Sequence, residues 1–148
     1  MRLALTVMMF AASASHAQSS AYDADGLSYD GAVAYDAGNS VLAAVLWRLA
    51  GKAGSSESMT AYAGLRAAGD GVAENPEDAL HWYARAARRG DAHAMALLAD
   101  GLFAVDPKRA RALYSQAAAL GHDYAKLRLA QPPGEIDGED PGGIGGNQ

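Results

Sequence analysis

Arg85, Arg88 and Arg89 stand close together in 79-ALHWYARAARRGDAHA-94. Two uses fit them. Positive charge near a helix C-terminus opposes the negative end of the helix dipole, or the three form a basic landing patch for an acidic partner or for the chain's own acidic tail. The other candidate chemistry is thinner. The glycines of 64-GLRAAGDG-71 imitate a phosphate loop, but Asp70 occupies the place of the lysine, and a carboxylate repels phosphate. The acidic 23-DADGLSYD-30 spaces aspartates like the start of a calcium loop. It lacks the third acceptor before glycine and the later bidentate glutamate. His81, His93 and His122 read as surface histidines, and His16 lies in the apolar N-terminal region. No G-x-S-x-G elbow and no thiol occurs, and no two carboxylates stand out as an acid–base pair. The expectation is no catalytic residue, no metal site and no cofactor.

The 148 residues carry a net charge of -5, and half of them are hydrophobic. That suits one small domain. The acidic balance argues against nucleic acid as a partner. Seventeen glycines and many alanines mean that close helix contact, more than bulky side chains, must fill the interior. At the N-terminus, Arg2 precedes an apolar run from Leu3 to Ala12, and Ser15-His16-Ala17 offers a small-x-small cleavage site. The run is short of the roughly 18–20 apolar residues a bilayer demands. Residues 1–17 therefore read as an export signal cleaved before Gln18, with no membrane span afterwards and a periplasmic or secreted destination. An acidic segment follows at 18–25. The tail 131-QPPGEIDGEDPGGIGGNQ-148 is rich in proline, glycine and acids and is expected to be disordered.

Between these ends the chain repeats itself. The stretch 110-ARALYSQAAALGHDYA-125 restates residues 79–94 with alanines, an aromatic and a glycine in register, and 43-AAVLWRLAGKAGSSES-58 is a weaker copy. Gly54, Gly90 and Gly121 close the three copies at spacings of 36 and 31 residues. The longer spacing comes from the linker 67-AAGDGVAE-74. Asn75-Pro76 and Asp106-Pro107 each supply an N-cap acceptor followed by proline at the first helical position, and Asn39-Ser40 serves the first copy. The spacing predicts helices over 40–53, 76–89 and 107–120, each stopped by a left-handed glycine. Partner helices are expected over 58–68 and 94–104, with Tyr62, Ala63, Leu65, Leu98, Ala99 and Leu102 facing the core. The first hairpin starts near Gly26 and uses Ala32 and Tyr35. Residues 122–130 restart a unit and stop, as a terminal cap does.

These residues resemble Sel1-like repeats, a family of helical hairpins related to tetratricopeptide repeats. The second unit carries the pattern through Gly69, Gly71, Val72, Asn75, Ala79, Trp82, Tyr83, Ala86, Ala87 and Gly90. It departs from it at Ser58, Tyr62, Ala63 and Arg66, where the family favours Ala, Leu, Gly and Tyr. The third unit keeps Ala94, Leu98, Asp106, Ala110, Tyr114, Ala117, Ala118 and Gly121; the first keeps Asn39, Ala43, Trp47, Ala50 and Gly54. The resemblance covers residues 26–130. It implies an all-α fold: an α-solenoid of about three hairpins with a short C-terminal capping helix, presenting a concave surface to other proteins.

The functional expectation is a non-enzymatic adaptor of the bacterial cell envelope that binds a protein or peptide on that surface. By analogy with tetratricopeptide geometry, the inward-facing candidates are Tyr29, Asp36, Thr60, Ala67, Asp100 and Phe103. Phe103 can be read equally as core or as anchor. The alternative is a module that binds peptidoglycan fragments, and less readily a hydrolase. Wall-associated members of the family rely on paired cysteines, and this chain has none.

Overall fold

Five helices begin where a side chain satisfies an orphan amide. In a computed structural model that describes residues 24–131, the chain is helical over residues 24–36 (α1). Six helices follow: Ser40–Ala53 (α2), Ser56–Ala68 (α3), Pro76–Ala87 (α4), Ala92–Leu102 (α5), Pro107–Ala119 (α6) and Asp123–Ala130 (α7). Among the described residues no strand occurs. Residues 1–17, expected to be an export signal, residues 18–23 of the acidic segment and the tail beyond Gln131 lie outside the described residues.

The expected caps are in place. The Asn39, Asn75 and Asp106 side chains accept hydrogen bonds from the amides of Leu42, Asp78 and Arg109, and Pro76 and Pro107 open their helices. Gly54, Gly90 and Gly121 have φ of 116°, 90° and 92°, the left-handed geometry that stops a helix at little cost only in glycine. The partner helices α3 and α5 start two residues earlier than the spacing predicts, because Ser55 caps α3 by accepting from the amide of Ser58 and Ala92 already opens α5. Helix α4 ends at Ala87, two residues short of the expected 89, and the turn amides of Arg88 and Arg89 bond back to Ala84 and Ala86.

The chain divides at Asp91 and Ala92 into two compact units. In the first, α2 packs on α3 and α3 on α4. Small residues make the approach close: Ala43, Ala50, Ala63 and Ala86 have no exposed surface, and Gly51 lies where an added Cβ would meet Met59 and Trp82 at 3.1 and 3.2 Å. Trp82 and Tyr62 fill the wider space edge to face, with ring centroids 5.1 Å apart. Tyr62 thus takes the leucine place of the resemblance because it meets an indole. Arg66, in the tyrosine place, pairs with Asp78 at 2.8 Å and donates to the carbonyl of Ala73 at 2.6 Å, tying the long linker to the first turn of α4. Ser58 is fully buried and bonds Ser28 and Ser55 through its hydroxyl, which explains a polar residue in an alanine place. Gly71 presses against the backbone of Ser40 and Val41 with φ of 67°, so the linker reaches α2 only without a side chain there.

In the first hairpin the buried residues of α1 are not the two the periodicity suggests, although Tyr35 meets the Trp47 ring. Ala34 is buried and Gly31 supports Trp47, whereas Ala32 is exposed and Tyr35 is 44% exposed. The reason is the indole of Trp47, whose bulk needs the bare backbone of Gly31 and so sets the rotation of α1.

In the second unit α5 packs on α6 and α6 on α7. Ala99, Ala110, Ala117 and Ala125 are without exposure. Asp100 is the hub: its Oδ1 accepts from the hydroxyls of Tyr114 and, at 2.9 Å, Tyr124, while Arg128 Nε stands 3.6 Å from it and donates to the Tyr114 hydroxyl at 3.1 Å. The Arg128 guanidinium also lies 5.3 Å from the Phe103 ring centroid. This polar cluster fastens α7 over Tyr114, which is 1% exposed.

Candidate functional site

The concavities large enough to receive side chains in the first unit include two that follow a pair of helices. On α1, positions 25, 28, 29, 32 and 35 recur every three or four residues and share one face; on α3, positions 57, 61, 64, 65 and 68 do the same. Those two faces form the walls of both concavities. Near the start of the helices a pocket of about 340 Å³ lies between Asp25, Ser28, Tyr29 and Ala32 of α1 and Ser55 and Glu57 at α3. Near their ends a second, of about 370 Å³, lies between Tyr35 of α1, Trp47 of α2 and the Ala61, Gly64, Leu65 and Ala68 face of α3, with Asp70 at its edge. Starts pair with starts and ends with ends, so α1 and α3 run in the same direction, as the first helices of successive hairpins do.

The floor of the second pocket is fixed by three contacts. The Trp47 indole N–H donates to the carbonyl of Ser28 at 3.2 Å. Its ring lies so close to α1 that a Cβ on Gly31 would stand 2.5 Å from Cδ1. Tyr35 closes over it with ring centroids 5.5 Å apart at 41°. The result is a mostly apolar slot walled by two aromatic rings, small enough residues to admit a side chain, and one carboxylate. No lysine, arginine or histidine lines either pocket. The geometry suits binding of an extended segment: polar and acidic at one end, apolar and aromatic at the other.

The residues expected from sequence are distributed unevenly. Tyr29, 71% exposed, lines the first pocket. Asp36 and Ala67 are exposed beside the groove, at the last residue of α1 and next to Ala68 of α3, and line neither of these two pockets. Thr60 is a correction: it is buried, with its hydroxyl 2.7 Å from Asp91 Oδ2 and 3.1 Å from the carbonyl of Ser56, so its work is internal. Asp100 and Phe103 belong to the second unit, where both are partly buried and engaged with Arg128, Asp100 also with two tyrosines. The three arginines do different things. Arg85 lies 4.5 Å over the Trp82 ring, Arg89 donates to the carbonyl of Gly54 at 3.1 Å, and Arg88 stands exposed. The His93 and His122 rings stack with Nδ1 of one 3.3 Å from Nε2 of the other, and His122 caps α7. Trp47, Asp70, Glu57 and the Ala61 to Ala68 face are absent from the sequence-derived set. The signal for the last was present in the helical offsets of α3, but Trp47 was legible only as a repeat position.

Hairpins joined through alanine seams, opened by Asn or Asp caps and closed by left-handed glycines, define an all-α repeat protein of the solenoid class. The particular repeat is Sel1: residues 56–91 and 92–122 match the family model described as Sel1 repeat, so the chain carries two Sel1 repeats. Their shared boundary coincides with the division between the two units. Solved structures agree. A protective antigen of uropathogenic Escherichia coli strains displaying an SLR fold aligns with a TM-score of 0.67 at 28% identity, over 72% of this chain and 25% of that one. A Sel1 repeat protein from Oxalobacter formigenes aligns with a TM-score of 0.65 at 29% identity, over 72% of this chain and 46% of that one. The chain thus spans a quarter to under half the length of these relatives. No curated protein matches it. Sel1 repeats are in general protein–protein interaction modules.

Proposed function

We propose that this chain is a non-catalytic adaptor that holds an extended segment of a protein partner along the α1–α3 groove. The observation that carries the reading is the pair of pockets on one shared pair of helix faces, with Tyr29 exposed in one and the Tyr35–Trp47 rings in the other. Exposed aromatics beside concave, mostly apolar surface are the usual anchors of protein interfaces. The apolar N-terminal run and its small-x-small site support export to the periplasm or beyond. Mass spectrometry of the mature chain checks that part: a first residue of Gln18 is expected, and an intact Met1 in the envelope fraction contradicts it.

The groove itself is tested by placing a photo-cross-linking amino acid at Tyr29 or Ala61, with Arg111 of the second unit as control. The groove positions should give a discrete cross-linked partner in envelope extract that the control does not. Cross-links from Arg111 alone would overturn the reading. One observation favours a second occupant. Two aromatic rings with a neighbouring carboxylate also suit the face of a sugar, so soluble peptidoglycan fragments belong in the same assay as competitors; displacement by glycan without peptide would make the module a wall binder.

A further inference from the structure

Resting on that groove reading, we infer that the segment it takes is cationic at both ends, with an apolar side chain seated between Tyr35 and Trp47. The charges on the groove have one sign. Asp25 and Glu57 line the first pocket and Asp70 edges the second. Helix α1 adds Asp36, exposed at its end beside that face, and the sequence holds no lysine or arginine between Arg2 and Arg48 to balance these charges. The basic residue of α3 does not compensate, because Arg66 is committed to Asp78 and to the carbonyl of Ala73. A wall of uncompensated carboxylates around apolar slots attracts ammonium and guanidinium groups and repels acidic segments. The ring pair adds to this, since an alkyl stem packs on Tyr35 and Trp47 while its cation approaches the ring face or Asp70.

The dimensions set the spacing. From Asp25 to Tyr35 is ten residues of helix, about 15 Å. An extended peptide covers that in roughly five residues. The occupant therefore carries its two cations about five positions apart, with a leucine-sized or aromatic residue next to one of them.

The probes are three blocked hexapeptides differing only in end charge: Lys-Ala-Gln-Ala-Leu-Lys, the same with Gln at both ends, and the same with Glu at both ends. Each is titrated into the isotopically labelled chain and followed by amide shifts. The lysine peptide should bind about three- to tenfold more tightly than the glutamine peptide, as expected for two or three exposed charge pairs. Raising salt from about 0.05 to 0.5 M should shrink that ratio to within about twofold. The double variant Glu57→Lys, Asp70→Lys, checked for helicity by circular dichroism, should reverse the order and prefer the glutamate peptide. Equal binding of all three peptides, lost together in Tyr35→Ala, would overturn the cationic inference while leaving the groove in place. Absence of binding by the lysine peptide at millimolar concentration overturns it as well, and the cross-linking above then decides the groove separately.

Discussion

Gly71 is a residue with two independent reasons to be glycine. Its φ of 67° disfavours any other side chain, and a methyl group would run into the Ser40 carbonyl. Gly71→Ala should therefore cost more than about 1 kcal/mol of unfolding free energy, measured by denaturant titration, where an ordinary loop substitution stays within about 0.5 kcal/mol. Ala86 tests the seams: it has no exposed surface, so Ala86→Leu overpacks its contacts and should lower stability by about 1–3 kcal/mol. Ser58 shows why some single positions resist reading from sequence. Its hydroxyl is chosen by Ser28, thirty residues earlier, and no local pattern announces that pairing.

At the scale of the helix, caps and stops were legible because they depend on two or three adjacent residues. The Asn39, Asn75 and Asp106 caps and the glycines after each hairpin lie where the spacing put them. Removing one has a known scale: Asn75→Ala should cost about 1 kcal/mol, read as a lower melting temperature with faster amide exchange in the first turn of α4. The rotation of a helix about its axis was less legible. Helix α1 leaves Ala32 exposed and Tyr35 half-exposed against Trp47 because that indole of α2 demands Gly31 beneath it, a tertiary condition that periodicity along α1 does not contain. For the same reason the groove escaped the sequence-derived set in part. Tyr29 was found, but Trp47, Asp70 and Glu57 enter it from other elements. In the basic stretch, Arg85 lies over Trp82 and Arg89 donates to the Gly54 carbonyl, two contacts that the local sequence does not contain.

For the whole molecule, the repeat period conveyed the architecture, and both the family match and the solved relatives agree with it. A chain without cysteine has no covalent staple, so its stability rests on packing and on buried polar contacts. Tyr114 makes that stability sensitive to alkali. Burial first, and then the Asp100 carboxylate, push its hydroxyl up from the ordinary value of 10.0 to about 12, against the opposing influence of Arg128. In the unfolded chain the phenol loses its proton near pH 10; in the folded chain it keeps it until about pH 12. The contribution is thus whole below pH 10 and fades as pH rises from about 10 to 12, by on the order of 2 kcal/mol. Tyr114→Phe should flatten this part of the pH–stability curve measured by urea unfolding; an unchanged alkaline slope would refute the assignment.

The Trp47 indole rests on the bare main chain of Gly31 and is pinned by one hydrogen bond to Ser28. Backbone cannot hop between rotamers, so the slot stands ready before anything enters it. A guest then loses its own freedom on docking but imposes little fresh ordering on the host, which favours modest affinity from few contacts. Gly31→Ala would spoil this economy by levering the ring aside, and should weaken occupancy even in a protein that still folds.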